Sequence, residues 1–306
     1  MIFWGGSTSR YSILEEIKMI KTPVIWNITN RCPYSCSFCC VDANSSIEDL
    51  SLEQKLKVVE NIDVQNITID ISGGEPLMFE ENLELIRLIS KKLGKDSVSV
   101  TSTGKGLERV SLKDLSEYVY EIGFSYDFPF EPSPDRLLWY NSHNLEWASK
   151  LSHYGIKTMA QVPLLKSNCS NEIARGIYRN LFEGGIDRIL LIRFSESGRG
   201  IARQELSLNQ EEIGLLLRHY RCLEKEYGKP RVKVTPSVRG DFLGKVLTSL
   251  NISNNGLLLS NPWAYSLGGT PEDYCILGNL TEEKFSDLAG RNIYQRFFLQ
   301  LRRNLK

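Results

Sequence analysis

A chain of 306 residues with 37 Lys+Arg against 37 Asp+Glu carries no net charge with which to hold bulk nucleic acid. Its 42% hydrophobic content fits a folded globular protein and excludes a disordered one. The length suits one large α/β domain with a small appendage, and a core of that size needs no disulfides.

The start of the chain lacks the charged region, apolar core and small-residue cleavage site of a secretory signal. No run of about 18 apolar residues offers a membrane span, so the expected address is the cytoplasm, where thiols stay reduced. Four of the seven cysteines crowd between Cys32 and Cys40, whereas Cys169, Cys222 and Cys275 are scattered. That spacing reads as a ligand cluster and not as a disulfide framework.

In chain order, a strand over 24–29 runs directly into the cysteine cluster. Ser51 opens a helix over 51–60, with Gln54 three residues on in capping-box spacing. A strand over 67–71 ends in Gly73-Gly74, and a helix over 82–93 closes at Gly94. The alternation continues through a strand over 98–101, a helix over 112–119, a strand over 122–126 and a helix over 144–154. A strand over 157–165, a helix over 171–182 and a strand over 188–194 complete six βα units. Strands separated by helix-length crossovers pair in parallel. Periodicity alone leaves a doubly wound sheet and an incomplete barrel both open. Beyond position 200 the pattern changes to a long helix over 208–227, a short strand over 232–235, a Gly/Asn/Ser-rich stretch over 251–269 and a last helix within 282–305. The expected division is an N-terminal segment 1–21, a main domain 22–203 and a C-terminal region 204–306.

Cys32, Cys36 and Cys39 stand in C-x3-C-x2-C spacing on one loop after a strand. Complete protein ligation of a [4Fe-4S] cube takes four cysteines. Three leave one iron with an open position, which a centre needs if it is to bind a cofactor directly. The alternative, a zinc site, pairs C-x2-C with a second Cys or His pair. His143, His153 and His219 form no such pair.

At these residues the chain resembles the radical SAM superfamily. Cys32-Pro-Tyr-Ser-Cys36-Ser-Phe38-Cys39 looks like its C-x3-C-x-Φ-C signature, and Ser72-Gly73-Gly74-Glu75-Pro76 looks like its GGEP motif. The resemblance implies a partial (β/α)6 barrel over roughly 22–200, with a small C-terminal α+β cap. It implies a [4Fe-4S] cluster on Cys32, Cys36 and Cys39, and S-adenosylmethionine (AdoMet) chelating the fourth iron. Phe38 would lie against the adenine, and Gly73, Gly74 and Glu75 would meet the AdoMet amino group. Ser102-Thr103-Gly104 departs from the family's Thr-Asn-Gly while keeping small polar residues. Ser125-Tyr126-Asp127 resembles its Ser-x-Asp, making Ser125 a candidate for the AdoMet carboxylate and Asp127 for ribose or substrate. Ser102, Asn168 and Arg193 complete the candidate cofactor-binding set, Arg193 pointing in or out by one step of register.

The implied chemistry needs an external one-electron donor of the flavodoxin or ferredoxin type. AdoMet is cleaved to methionine and a 5′-deoxyadenosyl radical, which takes a hydrogen atom from substrate. Residues 192–200, with Gly198-Arg199, look like the turn after the sixth strand in SPASM and twitch relatives, and 255–259 and 275–288 resemble their C-terminal stretch. Only Cys222 and Cys275 stand there, too few for a conventional auxiliary cluster. They are candidate hydrogen-atom donors to a substrate radical, with plain packing as the alternative. Cys40 is expected to turn away from the cluster, and Trp139, Tyr140 and Trp147 to form a core-facing helix side. Three readings follow: modification of a ribosomally made peptide or other natural product, oxidation or epimerisation of a sugar, aminocyclitol or nucleoside, and a non-catalytic metal-binding scaffold.

Overall fold

The computed structural model describes residues 21–129, 140–235, 238, 249–262 and 264–291. The expected N-terminal segment up to residue 20, Trp139, and most of the last helix lie outside the described residues.

Six parallel strands pair in chain order: β1 (Thr22–Thr29), β2 (Ile67–Gly73), β3 (Val98–Ser102), β4 (Glu121–Ser125), β5 (Lys157–Leu164) and β6 (Arg188–Arg193). Helices α1 (Leu52–Asn61), α2 (Glu80–Leu93), α3 (Leu112–Tyr118), α4 (Tyr140–His153), α5 (Asn171–Glu183) and α6 (Gln210–Tyr227) follow them in turn. The capping box opening α1 forms in both directions: Gln54 N–H donates to Ser51 Oγ at 3.3 Å, and Ser51 N–H to Gln54 Oε1 at 3.0 Å. It supplies partners for backbone donors that the first helical turn leaves free.

Strand alternation sorts the side chains onto two faces. Val24, Trp26 and Ile28 of β1, Ile67, Ile69 and Ile71 of β2, and Ile189 and Leu191 of β6 are buried together with Val58, Leu85, Ile89, Leu151 and Ile177 from the helices. The opposite face carries half-buried polar groups, among them Asp70, Ser99, Thr101 and Gln161. An apolar outer face under helices and a polar inner face make this a partial (β/α)6 barrel with a hydrogen-bonding lumen.

The C-terminal region lengthens the sheet at both edges. β7 (Arg231–Val234) adds in parallel to β6, and β8 (Leu250–Ile252) adds in parallel to β1. β9 (Leu257–Leu259) and β10 (Ile276–Asn279) continue antiparallel beyond β8, and α7 (Phe285–Ala289) follows. Among the described residues the sheet thus reaches ten strands.

Candidate active site

The chain leaves β1 into the cysteine loop, whose root is fixed by one carboxylate. Asp49 accepts the Thr29 hydroxyl at 2.5 Å and the Asn30 N–H at 2.6 Å. Cys32 is held by Asn44, whose amide accepts Cys32 N–H at 2.8 Å and donates to Cys32 O at 2.9 Å. Asn44 sits at φ 69°, a left-handed conformation that Asn tolerates better than most residues. Asn44 and Asp49 were passed over in the sequence, although both lie within the same loop as the thiols they support.

Cys32, Cys36 and Cys39 are in no disulfide, with Cys36 buried and the other two half-buried. Burial pushes the Cys32 thiol up to about 12, and the charges of Cys36, Cys39 and Glu75 act in the same direction. Burial likewise pushes Cys40 up to about 12, with Cys39 the largest neighbouring charge. The Cys39 sulfur accepts the Ala43 N–H at 3.4 Å. Among the described residues no three His, Cys, Asp or Glu side chains converge as a single metal ion would require. Three thiols on one short loop are a donor set that a multi-iron cluster could use, one thiol to each of three irons. Iron binding releases the thiol protons, so the iron–thiolate bonds have to offset the raised affinity for them.

Gly73 and Gly74 press the end of β2 against the root of this loop. Gly74 N–H donates to Thr29 O, and Glu75 N–H to Arg31 O, both at 2.8 Å. A Cβ on Gly74 would stand 2.0 Å from Arg31 O, and one on Gly73 would stand 2.4 Å from Thr29 O. The glycines are therefore demanded by the approach of one backbone to another.

Glu75 is wholly buried. Its carboxylate accepts Ser102 Oγ, Thr103 N–H at 2.6 Å, the Thr103 hydroxyl and Leu77 N–H at 3.1 Å. Burial raises its pKa, while the Thr103, Leu77 and Ser102 donors pull in the opposite direction. Ser102 is thus placed on Glu75, and the pair ties the ends of β2 and β3.

Ser125 ends β4 on the lumen side, in register with Gln161. Asp127 is buried just beyond it. The Asn168 amide donates to Asp127 O at 3.0 Å and to Pro163 O at 2.8 Å, and accepts Leu165 N–H at 2.9 Å, so it joins the loops after β4 and β5. Phe38 packs against Leu165, Phe194 and Leu206, which brings the cysteine loop to the ends of β5 and β6. Arg193 stands apart: it shares the side of Ile189 and Leu191 and is exposed. Cys222 is exposed on α6, and Cys275 is buried where β10 begins, so neither lies on the inner face of the six-stranded barrel.

One inner-face cluster was not singled out in the sequence. Asp70 accepts Ser99 Oγ at 3.0 Å and Thr101 Oγ1 at 2.8 Å, and Gln161 Nε2 donates to Thr101 Oγ1 at 2.8 Å. Burial pushes the Asp70 carboxyl up to about 6. The polar residues at alternate positions of β2 and β3 were its available signal.

A family model for the Radical SAM superfamily matches residues 26–161. Over those residues the chain carries a radical SAM domain. That superfamily consists of enzymes that use a [4Fe-4S] cluster and AdoMet. Among curated relatives, Fe-coproporphyrin III synthase of Methanosarcina barkeri is 27% identical over 70% of this chain and 55% of its own. GTP 3′,8-cyclase of Rhizobium etli is 25% identical over 37% of this chain and 33% of its own. The nucleotide dehydratase RSAD2 of Siniperca chuatsi is 28% identical over 39% of this chain and 34% of its own. The chain therefore spans between a third and about half of the length of these relatives. In fold it is similar to Streptococcus suis SuiB bound to the precursor peptide SuiA, with a TM-score of 0.68 at 14% identity over 93% of this chain and 68% of that one. It is also similar to anSMEcpe with bound AdoMet and a peptide, with a TM-score of 0.62 at 18% identity over 92% and 82%. Among the described residues no helix is long and apolar enough to cross a membrane.

Proposed function

We propose that this protein is a radical SAM enzyme whose Cys32, Cys36 and Cys39 hold a [4Fe-4S] cluster, and that it modifies a peptide or another polar natural product. Held by these residues, the cluster and AdoMet would supply one-electron reductive cleavage of AdoMet, fed by an external donor, for hydrogen-atom abstraction from substrate. The observation that carries this reading is the packing of Gly73-Gly74 onto the root of a loop bearing three cysteines outside any disulfide, at the C-terminal ends of β1 and β2. Chemistry on (β/α) barrels sits at that end of the strands.

The chain's own groups have distinct parts in this proposal. Asn44 and Asp49 orient the thiol-bearing loop. Glu75, supported by Ser102, holds the β2 and β3 ends together and would keep Gly73 and Gly74 on the cofactor side. Phe38 would contribute an apolar surface for the adenine, and Ser125, Asp127 and Asn168 would complete the site from the ends of β4 and β5. The hydrogen-bonding row of Asp70, Thr101 and Gln161 supports a polar substrate and would help to orient one. Arg193, Cys222 and Cys275 have no part in it. A cytoplasmic one-electron donor of the flavodoxin or ferredoxin type would reduce the cluster.

The second reading, oxidation or epimerisation of a sugar, aminocyclitol or nucleoside, draws on the same polar lumen. Anaerobically reconstituted protein, given AdoMet and dithionite, is expected to form 5′-deoxyadenosine. A metal-binding scaffold would form none. Deuterium transfer into 5′-deoxyadenosine from a labelled precursor peptide, as against a labelled sugar, separates the two catalytic readings.

A further inference from the structure

The cysteine loop is gripped by a turn that lies far away in the chain. Ser197, Gly198 and Arg199, just beyond β6, meet the carbonyls of three cysteines and one neighbour. Arg199 N–H donates to Cys39 O at 2.9 Å, Nε to Cys36 O at 2.8 Å, and Nη1 to Ala43 O at 2.7 Å. Ser197 Oγ donates to Cys40 O at 2.9 Å. Gly198, at φ 53°, lets the turn come close; a Cβ there would stand 2.6 Å from Cys39 O and 2.7 Å from Cys40 O.

The same guanidinium pairs with Asp42, at 2.6 Å between Nη1 and Oδ1. The other Asp42 oxygen accepts Gly268 N–H at 2.7 Å. Gly198 N–H donates to Tyr265 O at 2.8 Å, and Tyr265 N–H donates to Ser197 Oγ at 3.1 Å. The C-terminal segment around residues 265–268 is therefore joined to the cysteine loop through this turn. The planar guanidinium meets two loop carbonyls and a carboxylate from two separate nitrogens; a lysine ammonium offers its three donors from a single point and lacks the fork.

We propose that Arg199 is a positioning residue that sets the placement of Cys36 and Cys39 and, through Asp42, ties it to the C-terminal segment. The inference rests on the cluster reading above. Cys32 is held separately by Asn44, and the Cys39 carbonyl keeps its bond to the Arg199 backbone N–H, so loss of the guanidinium frees the Cys36 and Ala43 carbonyls, loosens the turn that carries Cys36 and Cys39, and leaves Cys32 in place. Partners of this kind, one step removed from a metal ligand, commonly govern metal affinity by about 10- to 100-fold.

The test uses the full chain, reconstituted anaerobically as wild type, R199K, R199Q and R199Q/D42N. Iron release to a chelator is followed by visible absorbance, and the reduced cluster by its EPR line shape. R199Q is expected to release iron about 10- to 100-fold faster than wild type, with an altered EPR line shape. R199K, which keeps the charge but not the fork, is expected to fall between them. If R199Q fails to fold, the double variant, freed of the unpaired Asp42 carboxylate, is expected to fold and to show the same fast release. Wild-type release and an unchanged EPR line shape in folded R199Q or in the double variant would overturn the role of Arg199. A wild type that binds no cluster would instead overturn the cluster reading, and this role with it.

Discussion

Both carboxylate oxygens of Glu75 lie 3.0 Å from the Ser102 hydroxyl, in a site closed to solvent. A buried charge with fewer donors is costly, because the lost hydrogen bond is not replaced by water. Ser102→Ala is expected to lower the unfolding free energy by about 1–3 kcal/mol in an anaerobic urea titration. A loss within about 0.5 kcal/mol, the usual range for an unremarkable surface change, would mean that the Ser102 hydroxyl does not support the carboxylate.

Gly74→Ala places a methyl group 2.0 Å from the Arg31 carbonyl oxygen, a contact that only backbone movement can relieve. The movement separates β2 from the root of the cysteine loop. We expect a stability loss of about 3 kcal/mol and a fall in iron uptake in the same variant. A Gly74→Ala protein with wild-type stability and iron content would show that the close approach is not required.

Asp70 makes stability depend on pH. Its folded-state carboxyl is raised from 3.8 to about 6 by burial, against the pull of the Thr101 and Ser99 hydroxyls. The folded state therefore holds the proton more tightly than the unfolded chain. Its contribution is fully present below about pH 4 and is lost as pH rises through about 6, a total of about 3 kcal/mol. An Asn at this position can accept from one hydroxyl and donate to the other, and it does not titrate. Asp70→Asn is expected to gain stability relative to wild type between about pH 4 and 7, read as urea midpoints across that range. Parallel curves would show that Asp70 does not carry the shift.

The six βα units were legible because each apolar run is local and periodic, as in β2, where Ile67, Ile69 and Ile71 alternate with polar residues. The capping box of Ser51 and Gln54 and the three cysteines were legible for the same reason, since their partners lie within a few residues. What stayed hidden depends on contacts distant in the chain. β8 is three residues long, with no period to announce that it would pair with β1. Arg199 meets the cysteine loop only after six strands have closed the barrel. Glu75 was expected at a ligand, yet it lies among donors from β3 and the turn after β2, because nothing in a Gly-Gly-Glu string tells which neighbour will bury the carboxylate.

The cluster assignment is tested most directly by iron content. Wild-type protein and a variant with Cys32, Cys36 and Cys39 all changed to Ala are reconstituted side by side under anaerobic conditions. Wild type is expected to hold about four irons per chain and the triple variant essentially none. A triple variant that still held about four irons would place the cluster elsewhere and contradict the assignment.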